Sequence, residues 1–400
     1  MDKAHETRLI HTKTRVSFFD ISDENSDIQK NAMRGFYIMF ILVTAYYIGI
    51  SSIHRFFSVG YFVEDSFFWD MVEDGKVVVL VWPGVFIYSW LAYLLQRMVL
   101  AGLPKVLGSF FQHLTQSVMF LTASCLVLLR NWGFSQTLFV LVLTFTHFMK
   151  MHSYTMVNRD LRRIYLKDPK RSEYPSNITA KDYLVYLVTP ALVYQTKYPT
   201  RPNFRPRYFL LKALLMFVEI ISVYMLISEY IIPVVLQSSG LTFVEVYLKM
   251  IVPCIVGYIL MFLIVFEQIL NLFAELSYFG DREFYQDWWN SNGFDDFSRK
   301  WNRPVHFFLY KHLYLECIQE YQMTVQNAKT VTFIFSGLCH ELIVALISRK
   351  ITPYLFGLMM LQLPLILLVK IVNTKDFGNY LFWTGIIGGP ALLLTLYCKF

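Results

Sequence analysis

Read for hydrophobic and polar positions, the chain is a succession of long apolar runs broken by short polar ones. Runs of spanning length fall at 35–57, 77–98, 109–129, 134–151, 208–236, 248–275, 329–347, 353–371 and 378–398. A helix of about 20 such residues crosses a hydrocarbon core of roughly 30 Å. Leu, Ile, Val, Phe and Met dominate each run, so the one-sided stripe of a soluble helix is missing. The pattern predicts an all-α, multi-pass transmembrane bundle of about nine spans. It forms one membrane-embedded domain over 35–400, preceded by a polar segment at 1–34. The piece YLVYLVTPALVYQ (182–194) is apolar but too short to cross and contains Pro190. It is expected to lie at the interface or tuck into the bundle.

Composition agrees with that architecture. Hydrophobic residues make up 56% and charged residues 16%, against about 25% charged in soluble domains. So few charges cannot cover a water-facing surface. The net charge of +7 matters through its placement, because Lys and Arg at span ends set orientation. Lys3, Arg8, Lys13, Arg15, Lys30 and Arg34 precede the first run. Eleven more basic residues fall within 152–207, and Arg282, Arg299, Lys300, Arg303 and Lys311 within 276–328. A cytosolic N-terminus puts all three groups on one side; Arg349 and Lys350 are the exception. These charges read as orientation signals, and no nucleic-acid partner is implied.

The first apolar run is already of spanning length, so no cleavable leader is expected. The cysteines Cys125, Cys254, Cys317, Cys339 and Cys398 form no metal or redox motif and read as small buried hydrophobes. Asn177-Ile178-Thr179 is a glycosylation sequon, expected to stay unused on the cytosolic side.

Two polar groupings interrupt the apolar pattern. Thr332, Ser336 and His340 are spaced i, i+4, i+8 and share one face of the seventh span, with Glu341 one residue round. Ionisable groups are costly at membrane depth, which favours a functional histidine in a water-poor, enclosed site over a structural one. HELIV lacks the second histidine of a zinc-peptidase helix, so no metal is implied. The second grouping is 279–314, where Trp288, Trp289 and Trp301 alternate with Asp287, Asn290, Asn302 and His306. From the residues alone it reads equally as an interfacial aromatic belt or as the mouth of a pocket for an amphipathic substrate. After Pro304, VHFFLYKHLYLECI reads as an interfacial helix, apolar on one face with Lys311 and His312 opposite.

FYQDWWN at 284–290, RKWNRPVH at 299–306 and SGLCHEL at 336–342 together resemble the membrane-bound O-acyltransferase family. The likeness is to its sterol O-acyltransferases and its acyl-CoA:diacylglycerol acyltransferases. VSFFD, KMHSY, YPSNITAKDY and AELSYFGDREFY extend it along the chain. The resemblance implies transfer of a fatty acyl group from acyl-CoA, a co-substrate rather than a resident cofactor, to a lipid hydroxyl. By the same resemblance His340 matches the catalytic histidine and Asn302 the second active-centre residue. Phe284, Tyr285, Asp287, Trp288, Trp289 and Asn290 match the acyl-CoA-binding heptapeptide, and Trp301, His306 and Ser336 the chamber lining.

A neutral imidazole could take the hydroxyl proton as oxygen attacks the thioester, and an amide could steady the oxyanion. Asn302 and His340 can meet only if part of 285–314 folds into the bundle, which is expected. His152, YQTKYP, IVPCIVGYIL and DFSRKWN point to a sterol acceptor, whereas GDREFY, RPRYFLLKALL and GNYLFW fit diacylglycerol as well. The reading taken is the sterol one, with diacylglycerol as the alternative. The family further implies a homo-oligomer in the endoplasmic reticulum membrane. A transporter using His340 as a relay is the rival of another class, but no inverted repeat or paired broken helices are seen.

Overall fold

A computed structural model describes residues 9–20, Ser26, Ile28, 34–60 and 73–400. Lys3, Arg8 and Lys30, with much of the expected segment 1–34, lie outside the described residues. The helices are α1 Arg34–Val59, α2 Gly75–Leu100, α3 Lys105–Arg130, α4 Phe134–Lys167, α5 Ala180–Val188, α6 Pro206–Gly240, α7 Phe243–Leu276, α8 Phe294–Lys300, α9 at 303–319, α10 Val325–Ser348, α11 Tyr354–Val372 and α12 Lys375–Lys399. Among the described residues there is no strand, only an isolated bridge between Arg15 and Asp281. Eight helices (α1, α2, α3, α6, α7, α10, α11 and α12) are long and apolar enough to cross a membrane. This is the all-α multi-pass bundle that the apolar runs predict.

The chain divides into two compact units. The first is Met1–Lys13, Trp69–Thr200 and Pro304–Thr352. Here α2 and α3 pack along α4, a 34-residue helix whose first half is the run 134–151. That helix is less apolar than the eight because it carries a buried polar face: Gln136, Thr144, His147, Lys150, Ser153 and Asn158. Each needs an internal partner. His147 Nδ1 lies 2.7 Å from Ser89 Oγ, and Lys150 Nζ donates to the carbonyls of Tyr186 and Thr189 at 2.8 and 2.6 Å. The end of α5 leaves carbonyls without an intrahelical donor, and the buried amine supplies one.

The short apolar piece 182–194 does tuck into this unit. Thr179 Oγ1 caps α5 by accepting the Asp182 N–H at 3.1 Å, and the helix stops two residues before Pro190. Tyr183, Tyr186 and Tyr194 are fully buried. Their hydroxyls donate to the Ser89 carbonyl, the Leu192 carbonyl and Asp182 at 2.6, 2.8 and 2.6 Å. The sequon is enclosed in the same packing. Asn177 Nδ2 donates to Asn158 Oδ1 at 2.7 Å and to the Tyr194 hydroxyl at 3.0 Å. Glycosylation would remove those bonds and need space that buried packing does not offer. Expressed protein is therefore expected to show no mass loss at Asn177 on endoglycosidase treatment, whereas a shift at that residue would contradict this packing.

The helix α9 corrects one expectation. His312 does not lie opposite the apolar face; it is buried beside Phe308, four residues earlier on the same face, with ring centroids 5.1 Å apart. Its Nε2 is 2.7 Å from Ser153 Oγ. That hydroxyl already accepts the Tyr194 N–H at 2.8 Å, which leaves its hydrogen for the imidazole. Burial first, then the nearby His152, Lys311 and Arg159, hold the His312 imidazole well below its ordinary range. Below about pH 6.5 the unfolded chain therefore takes up a proton that the folded chain refuses, and stability falls as pH falls. The thermal midpoint is expected to drop between about pH 7.5 and pH 5.5, and His312→Gln to flatten that slope. An unchanged slope in the variant would assign the pH dependence elsewhere.

The second unit is Thr14–Phe68, Arg201–Arg303 and Pro353–Phe400. In it α7 packs along α12 and, with α6, forms the core of the unit. A capping box starts α7, with Thr242 Oγ1 accepting the Glu245 N–H and Glu245 accepting the Thr242 N–H. Charged side chains are buried on α6 and α7: Lys212 pairs with Glu267, and Glu275 pairs with Arg282 of the following loop at 2.6 Å.

Polar bonds also join loop ends within each unit. Arg159 and Arg163 reach Glu316 and Glu320 at 2.8 Å each, and the Arg201 N–H reaches the Tyr278 carbonyl at 2.9 Å. In the second unit, Lys399 bonds the Ser238 carbonyl at 2.5 Å. Arg349 donates to Asn131 and, at 3.0 Å, to the Trp132 carbonyl. The exceptional Arg349 is thus engaged by the carboxyl end of α3.

Candidate active site

The seventh span of the sequence reading is α10, in the first unit. Two residues of its polar stripe bond to the helix's own backbone. Thr332 Oγ1 donates to the Ala328 carbonyl at 2.8 Å, and His340 Nδ1 lies 2.7 Å from the Ser336 carbonyl. A carbonyl only accepts, so Nδ1 carries a hydrogen, and Nε2 is the ring nitrogen that could act as an acceptor. The side chain of His340 is exposed on the chain, not enclosed as expected, while Ser336 is half-buried. The bond commits Nδ1 to the helix backbone and directs Nε2 away from it. His306 belongs to the same unit, on α9. Its ring is half-buried and stacks on Tyr310 at 6.4 Å.

The heptapeptide, Trp301 and Asn302 belong to the second unit. Two backbone bonds register the segments. Gln286 donates to the Lys300 carbonyl at 2.9 Å and Arg303 to the Phe284 carbonyl at 3.0 Å, so half-buried Asn302 runs alongside FYQDWWN. The heptapeptide splits into anchors and accessible groups. Phe284, Tyr285 and Trp288 are buried, and the Tyr285 hydroxyl donates to Glu267 at 2.6 Å. Burial first, then Glu267, push the Tyr285 phenol far above its usual range, so it remains a donor.

Trp288 sits in an aromatic nest with Trp301, Phe262 and Trp289 at centroid distances of 4.9, 5.2 and 5.7 Å. Trp301 in turn stacks on Tyr258 at 4.6 Å, inclined by 16°. Asp287, Trp289 and Asn290 are less covered. Asp287 pairs with Lys300 Nζ at 3.2 Å and receives Asn290 Nδ2 at 3.4 Å.

Residues that sequence reasoning missed hold this loop. Asn379 Nδ2 donates to the carbonyls of Trp289 and Ser291 at 3.2 and 3.0 Å, and Trp383 Nε1 to the Trp289 carbonyl at 3.1 Å. Gly378 lets α12 approach so closely that a Cβ there would strike the Asn292 carbonyl. All three lie in GNYLFW, which carries family likeness but no chemistry recognisable from the residues. Lys212 and Glu267 could have been found, since ionisable residues inside apolar runs are themselves a signal.

The family model described as the membrane-bound O-acyltransferase family matches residues 68–399, and the chain belongs to that family. It is 36% identical over 251 residues to a probable sterol O-acyltransferase 1 of Schizosaccharomyces pombe, covering 59% of this chain and 47% of that protein. It is 36% identical over 244 residues to sterol O-acyltransferase 2 of Saccharomyces cerevisiae, covering 57% and 38%. Diacylglycerol O-acyltransferase 1A of Glycine max is 34% identical over 271 residues, covering 62% and 54%. The chain thus spans about half the length, or less, of these curated relatives.

Proposed function

We propose that the protein is a sterol O-acyltransferase of the endoplasmic reticulum membrane, with its N-terminus in the cytosol, where acyl-CoA is found. The observation that carries the chemistry is the tautomer of His340, whose Nδ1–H bond to the Ser336 carbonyl leaves Nε2 as acceptor. The identities to sterol O-acyltransferases of two yeasts support the acceptor.

In this reading His340 Nε2 takes the proton of the sterol 3-hydroxyl while its oxygen attacks the thioester carbonyl of acyl-CoA. The carbon–sulfur bond breaks as the carbon–oxygen ester bond forms. The proton passes from the imidazolium to the departing thiolate, giving steryl ester and free CoA. Asn302 donates its amide to the developing oxyanion, a role whose loss costs about 10²–10³ in rate in comparable sites. The heptapeptide with Trp301 receives the acyl donor, and His306 and Ser336 line the chamber. An aromatic wall suits the thioester's long alkyl chain and the adenine ring alike.

The second reading, diacylglycerol as acceptor, has the Glycine max relative in its favour. Competition separates the two. In membranes lacking other acyltransferases, labelled oleoyl-CoA is offered with sterol and diacylglycerol together. Label is expected in steryl ester, and label in triacylglycerol alone would replace the acceptor.

A further inference from the structure

Glu267 is fully buried on a π-bulged stretch of α7, Leu263–Ile269. Such bulges often mark functional positions. Its Oε1 pairs with Lys212 of α6, itself 2% exposed. Its Oε2 accepts two hydroxyl groups, those of Ser17 and Tyr285, both at 2.6 Å. Four pieces of chain therefore converge on one carboxylate: α6, α7, the segment before α1 and the heptapeptide.

Packing alone does not require this arrangement. A buried ion pair can commonly be replaced by apolar residues of similar volume at little or no cost in stability. What apolar residues cannot do is accept the Tyr285 and Ser17 hydroxyls and so fix both segments against α7. Residues 15–20 also lie over the loop. Arg15 donates to the Gly280 carbonyl at 2.9 Å, and the Arg282 N–H donates to the Arg15 carbonyl at 3.1 Å. The ring of Phe18 meets Trp289 edge-on at 4.9 Å, and Phe19 lies 5.7 Å from Trp289 and 6.2 Å from Tyr285. The half-buried Trp289 indole is thus bordered by a strap whose register is set at Glu267.

We infer that Glu267 is a positioning residue for the acyl donor: through Tyr285 and Ser17 it fixes the heptapeptide and the strap 15–20, which together orient Trp289. It touches no substrate itself. The inference rests on the heptapeptide being the acyl-CoA site.

The test compares two neutral replacements of the pair in purified full-length protein. Lys212→Met/Glu267→Leu removes the acceptor, whereas Lys212→Met/Glu267→Gln retains an amide oxygen for the two hydroxyls. The readings are KM for oleoyl-CoA, kcat, Kd for a non-reactive thioether analogue of the acyl-CoA, and the thermal midpoint. Loss of hydrogen bonds to a charged acceptor predicts KM and Kd raised about tenfold in the leucine protein, with kcat within about twofold. The glutamine protein is expected within about threefold of the parent.

Tyr285→Phe, which removes one hydroxyl, should raise KM in the parent and add nothing to the leucine double. It also carries the same expectation if that double fails to fold. Wild-type KM and Kd in the leucine protein, a fall in kcat alone, or no rescue by glutamine would each overturn the inference. A parent protein that fails to bind the analogue would remove the acyl-donor reading itself. Normal binding by the parent with unaffected variants would remove only the role of Glu267.

Discussion

His340→Ala is expected to leave the protein folded and inserted but to lower acyl transfer by about 10²–10⁴-fold, the usual contribution of a general base. The separation of effects follows from geometry. His340 is exposed, and its Nδ1 contact is with its own helix, at the Ser336 carbonyl. Truncation therefore opens no cavity and strands no buried neighbour. The comparison to make is the thermal midpoint and yield in detergent beside the rate of ester formation. A variant that aggregates would assign His340 a scaffold role, and one that retains full activity would remove it from the chemistry.

The largest effect on stability is expected at Lys212. Lys212→Met leaves Glu267 buried with its charge uncompensated, an arrangement that costs about 3–5 kcal/mol when one partner of a buried pair is removed. The loss should appear as a lowered thermal midpoint in lipid nanodiscs. Lys212→Met/Glu267→Leu should recover most of it, because the unpaired charge is then gone. A single variant as stable as the parent would mean that Glu267 is not held as the carboxylate partner of Lys212.

How far the sequence could be read depended on what decided each feature. The spans were legible because a bilayer accepts almost nothing but long apolar helices, and hydropathy measures that property directly. The run 134–151 shows the limit: α4 is an unbroken helix, but its buried Gln136, His147 and Lys150 serve neighbours that sequence order does not name. The tucked piece 182–194 was legible from its length and Pro190. His312 was misplaced because Lys311 beside it suggested a polar face, whereas Ser153 on α4 draws the imidazole inward.

At the candidate site, the residues of FYQDWWN were recognisable but their division of labour was not. Whether a tryptophan anchors or remains accessible depends on Asn379, Trp383 and Glu267, which lie far from the motif in sequence. The stripe Thr332, Ser336 and His340 was visible from helical spacing alone. Its tautomer required the Ser336 carbonyl at hydrogen-bond distance.

The central claim is that this chain moves an acyl group from CoA to a lipid hydroxyl, and the most direct measurement uses purified protein in nanodiscs. Oleoyl-CoA and sterol are supplied, and free CoA thiol and steryl oleate are counted over the same interval. The account predicts that thiol and ester appear in equal amounts and that both depend on His340. Thiol without ester would reduce the protein to a thioesterase, and neither product from folded protein would contradict the account.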